Sequence, residues 1–493
     1  MIFYILILAV FLRFYQLPNL AIFTFDEEHQ ITMAKTIVDN FHIIWIGVSA
    51  SNIGFYLGPF WVYFTAFWLW LSRGDPLITN YVAASLGVIT TFVIYYVSAK
   101  LFSKKVAFFA TFLYATLPLF VFFDQKYLTP TTVPLLSLIL FYSLYKSFRS
   151  DKWWIVFALA FGLIFHTSLS IFPYGLLGFY FFIKQRHQIS KKIVTLSVLI
   201  FVSTISPLIA FDYFHNWSNI TTPLRFKEFA SNSSSSNLSS RFYYFSETLG
   251  RIWYLKPGLA NADEIPFACA TLFKDKFPSY DFDSIRTKPF LGFSLLSLGL
   301  MFWFLARRAT WKNLNTKILA LSVIVLAGPF LFFHGGPFEY YLLGLFPLIL
   351  IIFGYLVSTL PKNLFIISLI FITIVSILGI NTVFHVNTSY GLTVKKELIG
   401  QVMGVVKQEP FELENNGVCH QYDGWRYLFS VYGRRPQGSN TDQSLGWLYP
   451  EEITQTSVKY KVIMSETKIL PTGDISKAVI MKRGGFKAYT IKK

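Results

Sequence analysis

Apolar segments close to the length of a membrane span recur along this chain, and they constrain its fold more than any other feature. A helix needs about 20 apolar residues to cross the hydrocarbon core of a bilayer. Twelve segments of this length or somewhat shorter occur, at residues 2–17, 54–71, 78–98, 106–123, 131–147, 153–170, 171–183, 193–211, 290–306, 318–334, 340–358 and 364–382. They predict a bundle of membrane helices and exclude a soluble enzyme.

The composition supports this prediction, because 54% of the 493 residues are hydrophobic, 19% are aromatic and the mean hydropathy is +0.49. A soluble core requires less. The opening segment MIFYILILAVFLRFYQL resembles a signal peptide, but no small-residue cleavage site follows it. We therefore expect it to be retained as an anchor of a multi-pass protein of the plasma membrane, most simply a bacterial inner membrane.

Basic residues in the short loops predict the orientation, since lysine and arginine stay on the cytoplasmic side. The loops near residues 100, 150, 188, 312 and 362 contain many bases and a single acid, Asp151. We assign these loops to the cytoplasm and the segments after residues 123, 211, 334 and 382 to the outside. The net charge of +17 follows largely from these loops and does not indicate nucleic-acid binding.

The same rule predicts that one apolar segment does not cross the membrane. The span at 78–98 must start outside, whereas a short uncharged N-terminus places the first span inside-to-outside. Segment 54–71 contains Gly58-Pro59 and many interfacial aromatics, so we interpret it as a juxtamembrane or re-entrant helix, which leaves eleven spans. An ordinary span combined with an external N-terminus is the alternative.

The stretch FTFDEEHQ places Asp26 and Glu27 in a long first outer loop, residues 18–77. Thr24 with Glu27 three residues later is a capping box, so a helix is expected to start here. A carboxylate at this position can act as a general base. Alternatively, acids in a first turn only offset the helix dipole, and Glu28 is expected to do no more than that.

Polar side chains next to other membrane segments are further candidates for substrate binding. The run FDQKYLTPTT carries Asp124, Lys126 and Tyr127 at the next outer boundary. Ionisable groups at that depth are costly and usually functional, although a snorkelling lysine paired with the aspartate is an equal alternative. His166 lies within an apolar segment, where a buried, hydrogen-bonded histidine is the favoured interpretation.

Two more outer segments complete the candidate set. The turn HGGPFEYYLL offers Glu339 and Tyr340, and the large outer loop, residues 212–288, carries Arg225 and Arg241 among tyrosines and tryptophans. Such a mixture suits a lipid phosphate and a sugar at the interface. It suits the binding of anionic lipid headgroups equally well.

The order of these motifs resembles the GT-C membrane glycosyltransferases. Within them, it is similar to the branch of the protein O-mannosyltransferases and lipid A aminoarabinose transferases. The acidic pair is followed by aromatics around a Gly-Pro and then by a basic residue at the next outer boundary, and the resemblance spans residues 1–382. It implies a polyprenyl-phosphate sugar donor, a lipid, glycan or protein acceptor, and transfer outside the membrane, which we expect to proceed with inversion.

The resemblance also implies roles for single residues. The first acid of the family's pair falls on Asp26, with Glu27 as its neighbour, and the basic residue falls approximately on Lys126. Where relatives often have an acid or amide just before the next helix, this chain has Thr129-Pro130. A second catalytic carboxylate is therefore in doubt, with Asp124 as the substitute.

The chain is thus predicted to contain a transmembrane catalytic domain, residues 1–382, and an extracytoplasmic α+β domain, residues 383–493. In the second domain KELIGQVMGVVK has helical periodicity, and VCHQYD and SVKYKVIMS have strand character. We expect this domain to cover the catalytic mouth or select the acceptor, while a stability cap without substrate contact is the alternative.

The function predicted is sugar transfer, and its rival is a non-enzymatic transporter or lipid-linked sugar flippase. Transporters concentrate charges near the midplane, whereas the acids here gather in outer loops, which favours the enzyme. No cofactor is predicted, and a divalent cation at the acidic site stays open. Cys269 and Cys419 are both assigned outside, where one bridge is compatible with the pattern but two free thiols are favoured.

Overall fold

The structure of the protein is a computed structural model. It describes residues 2–49, 54–224, 238–256, 289–332, 339–417, 424–454, 457–467, 469–471 and 474–493. Three predicted features lie outside these ranges: Arg225, the two cysteines and the VCHQYD strand at 418–423.

Helices form almost all of the described part before residue 385. They are α1 (Ile2–Phe14), α2 (Leu17–Leu20), α3 (Phe25–Asp39), α4 (Phe60–Leu71), α5 (Leu77–Leu101), α6 (Lys104–Thr116), α7 (Pro118–Gln125), α8 (Val133–Ser147), α9 (Trp153–Leu163), α10 (Tyr174–Gln185), α11 (Lys191–Phe214), α12 (Ser218–Leu224), α13 (Leu238–Arg251), α14 (Leu291–Ala306), α15 (Arg308–Lys312), α16 (Leu314–Phe332), α17 (Phe346–Ser358) and α18 (Lys362–Phe384). Short 3-10 turns lie at Thr129–Thr132, Ile164–His166, Leu169–Ile171 and Glu339–Leu342. Each predicted apolar segment contains a helix.

By length and apolar character, four helices of the described part can cross a membrane: α5, α11, α16 and α18. The bent pair of α6 and α7 would make a fifth. Shorter apolar helices include α1, α4, α14 and α17. The polytopic membrane fold is confirmed, while the count of eleven spans stays a prediction.

A bend of 63° separates α6 from α7. Its cause is Pro118, which cannot donate a backbone hydrogen bond and forces the preceding residue out of helical geometry. Leu117 accordingly has extended dihedrals, with φ −76° and ψ 129°. The bend allows Asp124 of α7 to meet Arg13 of α1 in an ion pair of 2.8 Å.

The first outer loop begins and ends on the face of the bundle that carries the C-terminal part of the chain. The carbonyl of Ala21 accepts a hydrogen bond from the Leu392 amide, and the carbonyl of Gly74 accepts one from the Tyr427 hydroxyl, both at 2.8 Å. Helix α4 lies between these points and is only ~18 Å long, against about 30 Å for a hydrocarbon core. That segment 54–71 does not cross the membrane stays a prediction.

The C-terminal domain is a mixed sheet with helices, as predicted. Its elements are α19 (Leu392–Val406), β1 (Phe411–Asn416), α20 (Trp425–Tyr432), β2 (Gly438–Ser439), α21 (Asp442–Leu445), β3 (Tyr460–Glu466), β4 (Val479–Arg483) and β5 (Phe486–Lys492), with 3-10 turns at Gly446–Leu448 and Pro450–Glu452. The strand order is β2-β1-β3-β5-β4; β1 is parallel to β2 and β3, and β5 is antiparallel to β3 and β4. The predicted helix is α19, and SVKYKVIMS contains β3.

The C-terminal domain shares one hydrophobic core with the first outer loop. Phe23, Ile31 and Leu69 of the loop belong to the same buried cluster as Leu398 and Trp425 of the domain. A shared core means that neither part can be removed without exposing apolar surface of the other. The C-terminal domain and the first outer loop are therefore packed as one unit.

Candidate active site

The acidic pair lies at the start of α3, and its two members have different surroundings. The predicted capping box forms: Glu27 Oε2 accepts hydrogen bonds from the Thr24 backbone amide, at 2.9 Å, and from the Thr24 hydroxyl. Asp26 is exposed, and within the described ranges its carboxylate has no hydrogen-bond or ion-pair partner. Asp26 is thus available to a ligand, whereas Glu27 is part of the protein's own scaffold.

The carboxylate of Glu27 is almost fully buried, at 2% exposure. Burial raises the pKa of the Glu27 carboxyl above its ordinary 4.5, while the charge of Lys126 and the hydrogen bond from Thr24 act in the opposite direction. The second oxygen, Oε1, is also buried and has no hydrogen-bond partner among the described residues. A buried acceptor left in this state is expected to serve a ligand or an ordered water.

Three other side chains lie within electrostatic reach of the acidic pair. Asp26 interacts with His29 and with the hydroxyl of Tyr340, and Lys126 interacts with Glu27. Burial lowers the pKa of His29 below 6.5, and the charge of Asp26 opposes that effect. The structure therefore brings Lys126 and Tyr340, which are distant in the sequence, within electrostatic reach of the adjacent Asp26 and Glu27.

Lys126 is held at its position by its neighbours in α7. Asp124 is buried in the ion pair with Arg13 and also accepts a hydrogen bond from the Tyr114 hydroxyl at 3.1 Å. The side chain of Gln125 donates to the Arg13 carbonyl at 3.1 Å. Lys126, which ends the helix, is only half-buried. These contacts fix the end of α7, and from there the charge of Lys126 acts on Glu27.

Tyr340 is positioned by a second buried ion pair. Glu339, the preceding residue, pairs with Arg251 at the end of α13, at 3.2 Å. Tyr340 packs edge-on against Tyr341 and interacts with Tyr244 of α13. Helix α13 therefore borders the site, and its buried Arg241 donates to the Leu331 carbonyl at 3.4 Å.

Like Glu339, which pairs with Arg251, three further predicted substrate-binding residues have partners inside the protein instead. Asp124 is occupied by Arg13, so the idea that it substitutes for a second catalytic carboxylate loses its physical basis, as does its pairing with Lys126. Tyr127 is stacked on Trp61 at 5.1 Å, and its hydroxyl lies 2.8 Å from that of Thr65. Neither Asp124 nor Tyr127 is therefore part of the candidate site.

His166 is the third of these residues. Its Nδ1 accepts a hydrogen bond from the Phe60 amide at 3.2 Å, and its Nε2 lies 2.8 Å from the Thr204 carbonyl oxygen. A neutral ring with the proton on Nε2 satisfies both contacts. The favoured interpretation, a buried and hydrogen-bonded histidine, agrees with these contacts, and His166 is best described as a link between the start of α4 and α11.

Sequence reasoning missed several residues that shape the site. Arg13 had a usable signal, because it is a lone base in an apolar segment and requires a partner. Glu28 accepts a hydrogen bond from the Tyr427 amide at 2.7 Å, and Lys395 donates to the Phe23 carbonyl at 2.7 Å. No local pattern could have joined either pair. Among the described residues, no group of three or more His, Cys, Asp or Glu side chains could hold a metal ion.

Comparison with known proteins gives a family match and a fold match. Residues 58–211 match the model of a family described as dolichyl-phosphate-mannose-protein mannosyltransferase. A search of curated proteins finds no significant match. The fold is similar to that of ArnT from Cupriavidus metallidurans bound to undecaprenyl phosphate, with a TM-score of 0.61 and 11% identity over 99% of this chain and 97% of ArnT.

The Archaeoglobus fulgidus oligosaccharyltransferase is a second structural neighbour. In its complex with Zn and sulfate it gives a TM-score of 0.53 and 14% identity over 94% of this chain and 67% of that chain. Tethered to an acceptor peptide containing an NVT sequon, it gives 0.50 and 12% over 93% and 68%. The chain therefore has the GT-C membrane fold that the sequence predicted, and its residues 58–211 match a mannosyltransferase family model.

Proposed function

We propose that the protein transfers a sugar from a polyprenyl-phosphate donor to a hydroxyl group of a lipid, glycan or protein acceptor, on the outer face of a bacterial inner membrane. The observation that carries this proposal is the exposed Asp26 carboxylate, which is unpaired among the described residues. Tyr340 lies within its electrostatic reach, and its chain neighbour Glu27 interacts with Lys126. The match to a family of dolichyl-phosphate-mannose transferases and the fold shared with an undecaprenyl-phosphate-bound ArnT support the donor class.

Asp26 acts as the general base in this proposal. The acceptor oxygen attacks the anomeric carbon while its proton passes to the Asp26 carboxylate. The bond between the anomeric carbon and the phosphate oxygen breaks, and the lipid phosphate leaves with the bonding electron pair. A single displacement of this kind inverts the configuration at the anomeric carbon. Asp26 suits the role because its carboxylate is exposed and, within the described part of the chain, not engaged elsewhere.

Lys126 neutralises the departing lipid phosphate. Preorganised positive charge near a developing negative charge stabilises a transition state strongly. Arg241 is the second cation of the proposal, because it lies one turn before Tyr244, which interacts with Tyr340. Arg225, predicted for the same task, belongs to the same outer loop.

Glu27 positions the acceptor rather than taking its proton. Its Oε2 is committed to Thr24, so the side chain cannot swing toward a substrate without opening the capping box. Its buried Oε1 is unpaired within the described residues and can accept a hydrogen bond from an acceptor group. No step of the proposal uses a metal ion.

The test is sugar transfer by purified protein in vesicles. A radiolabelled polyprenyl-phosphate sugar serves as donor, and envelope extract from cells lacking the protein supplies the acceptor. We expect Asp26→Asn to lower transfer by a factor on the order of 10² to 10⁴, the range for loss of a general base. Asp39→Asn is the matched control, since Asp39 is exposed at the other end of α3 and pairs with Lys35.

Normal transfer by a well-expressed Asp26→Asn protein would eliminate the assignment. Movement of the labelled lipid across the vesicle membrane, without any transfer, would point instead to a flippase.

A further inference from the structure

The C-terminal domain makes hydrogen bonds to the chain on both sides of the acidic pair. Before the pair, the Leu392 amide donates to the Ala21 carbonyl at 2.8 Å, and Lys395 donates to the Phe23 carbonyl at 2.7 Å. After the pair, Glu28 Oε1 accepts from the Tyr427 amide at 2.7 Å. Asp26 and Glu27 are thus bracketed by contacts from a single domain.

Lys395 is an unusual residue for its surroundings, because its side chain is 1% exposed. The ammonium group lies 4.6 Å from the ring centre of Trp425 and 5.3 Å from that of Phe486. A buried ammonium is costly unless its charge and hydrogen bonds are satisfied. The Phe23 carbonyl is one of the groups that satisfy it, and Phe23 immediately precedes Thr24, the cap of α3.

Glu28 caps a helix of the other domain. The Tyr427 amide belongs to the first turn of α20, where backbone amides have no partner inside the helix. A carboxylate there satisfies one such amide and interacts favourably with the helix dipole. Glu28 is 1% exposed, so this contact is shielded from water. The expectation that Glu28 only offsets the dipole of its own helix, α3, is therefore wrong.

The fit between the two parts is close. Gly424 begins α20 with φ +85°, and a Cβ at this position would lie 2.6 Å from the Phe23 ring and 2.9 Å from the Thr24 carbonyl oxygen. Helix α20 is also tied to the start of α5, since the Tyr427 hydroxyl donates to Gly74 and the Tyr432 hydroxyl donates to Asp75 at 2.7 Å. These hydrogen bonds anchor the domain to the helical bundle, so that it can hold α3 in place.

We propose that Glu28 and Lys395 are positioning residues: through them the C-terminal domain holds the first turn of α3 so that Asp26 faces the site. This inference rests on the proposed function. It assigns the domain a part in the chemical step itself, beyond covering the mouth or choosing an acceptor. A displacement of about 1 Å at a reacting group can lower a rate by a factor on the order of 10².

The experiment measures kcat and KM for the donor with Glu28→Leu, Glu28→Gln and Lys395→Met. Leucine cannot accept from the Tyr427 amide, whereas the glutamine carbonyl can, so Glu28→Gln should restore most of what Glu28→Leu loses. We expect Glu28→Leu and Lys395→Met to lower kcat per folded molecule by about 10- to 100-fold, with the donor KM within about twofold. Lys396→Met is the matched control, because Lys396 is the exposed neighbour of Lys395.

A second measurement separates positioning from stability. Since Glu28 acts through Asp26, adding Glu28→Leu to the Asp26→Asn protein should lower kcat almost no further. If Glu28 acted only on stability, its effect would add in full to that of Asp26→Asn. Full kcat in folded Glu28→Leu and Lys395→Met proteins, or an undiminished loss in the Asp26→Asn background, would overturn the inference. Normal sugar transfer by the Asp26→Asn protein would instead show that the general-base role of Asp26 in the proposed function is wrong.

Discussion

The two sides of the candidate site are held in place by different contacts: ion pairs between side chains on the membrane side, and hydrogen bonds to the backbone on the water side. The membrane side consists of Lys126 and Tyr340. Each follows closely on a carboxylate buried against an arginine; the two pairs are Asp124 with Arg13, at 2.8 Å, and Glu339 with Arg251, at 3.2 Å.

The water side consists of Asp26 and Glu27. No arginine holds this turn among the described contacts; Lys395 and Glu28 do so, through the Phe23 carbonyl and the Tyr427 amide.

The difference lies in what the loss of each contact leaves behind. A charge that loses its partner inside the bundle stays buried and unpaired, so the whole fold is destabilised. The contacts at the acidic pair each end on one backbone group, so the loss of one loosens the first turn of α3 while the shared hydrophobic core still joins the two parts. Changes on the membrane side should therefore appear first in stability, and changes on the water side first in rate.

The largest expected effect on stability is that of Arg13→Met. Removing one partner of a buried ion pair costs about 3 to 5 kcal/mol, because the other charge is left unpaired. The double variant Arg13→Met/Asp124→Leu should recover much of this loss, since no charge remains. Unfolding midpoints of the purified protein in detergent measure both. A single variant as stable as the parent would show that the ion pair does not anchor α7.

A smaller effect, and one on rate, is expected for Lys126. Loss of one preorganised electrostatic contact lowers kcat by a factor of about 10² to 10³, so Lys126→Met should fall in this range while Lys126→Arg keeps more activity. Lys104→Met, at the exposed start of α6, is the control. Equal activity of both Lys126 variants and the parent would return Lys126 to the role of a snorkelling anchor.

The fold was largely predictable because its signals are local. Every apolar segment contains a helix, and the α19 and β3 patterns were recognised. The bend at Pro118 was not predicted, and neither were β1, β4 and β5, whose sequences FELENN, VIMKR and FKAYTIK each contain two charged residues. Such strands are stabilised by their neighbours in the sheet more than by their own sequence.

The site was predictable only in part, for a physical reason. Charged residues next to apolar segments stand out, so Asp26, Glu27 and Lys126 could be proposed from the sequence, and their roles stay predictions. Their supports depend on contacts between distant parts of the chain: Arg13 and Asp124 are 111 residues apart, and Glu28 and Tyr427 are 399 apart. One sequence contains no signal for such pairs, and the same limit explains why Asp124 was taken for a substrate-binding residue.

The smallest expected effect concerns Glu27, a buried carboxylate on the water side. Its pKa is raised above 4.5 in the folded protein, so the folded state binds the proton more tightly than the unfolded state. The contribution of Glu27 to the free energy of unfolding should therefore be greatest below pH 4.5. It should fall as the pH rises toward the raised pKa, by at most about 1.4 kcal/mol for each pH unit. Glu27→Gln can still accept from Thr24 but cannot ionise, so its unfolding midpoint should change less between pH 4.5 and 7 than that of the parent.

Glu397→Gln, at an exposed position of α19, should keep the parent's pH dependence. A parent and a Glu27→Gln protein with the same pH dependence would mean that Lys126 compensates the buried charge in full, and that the two sides of the site are coupled more tightly than their separate supports suggest.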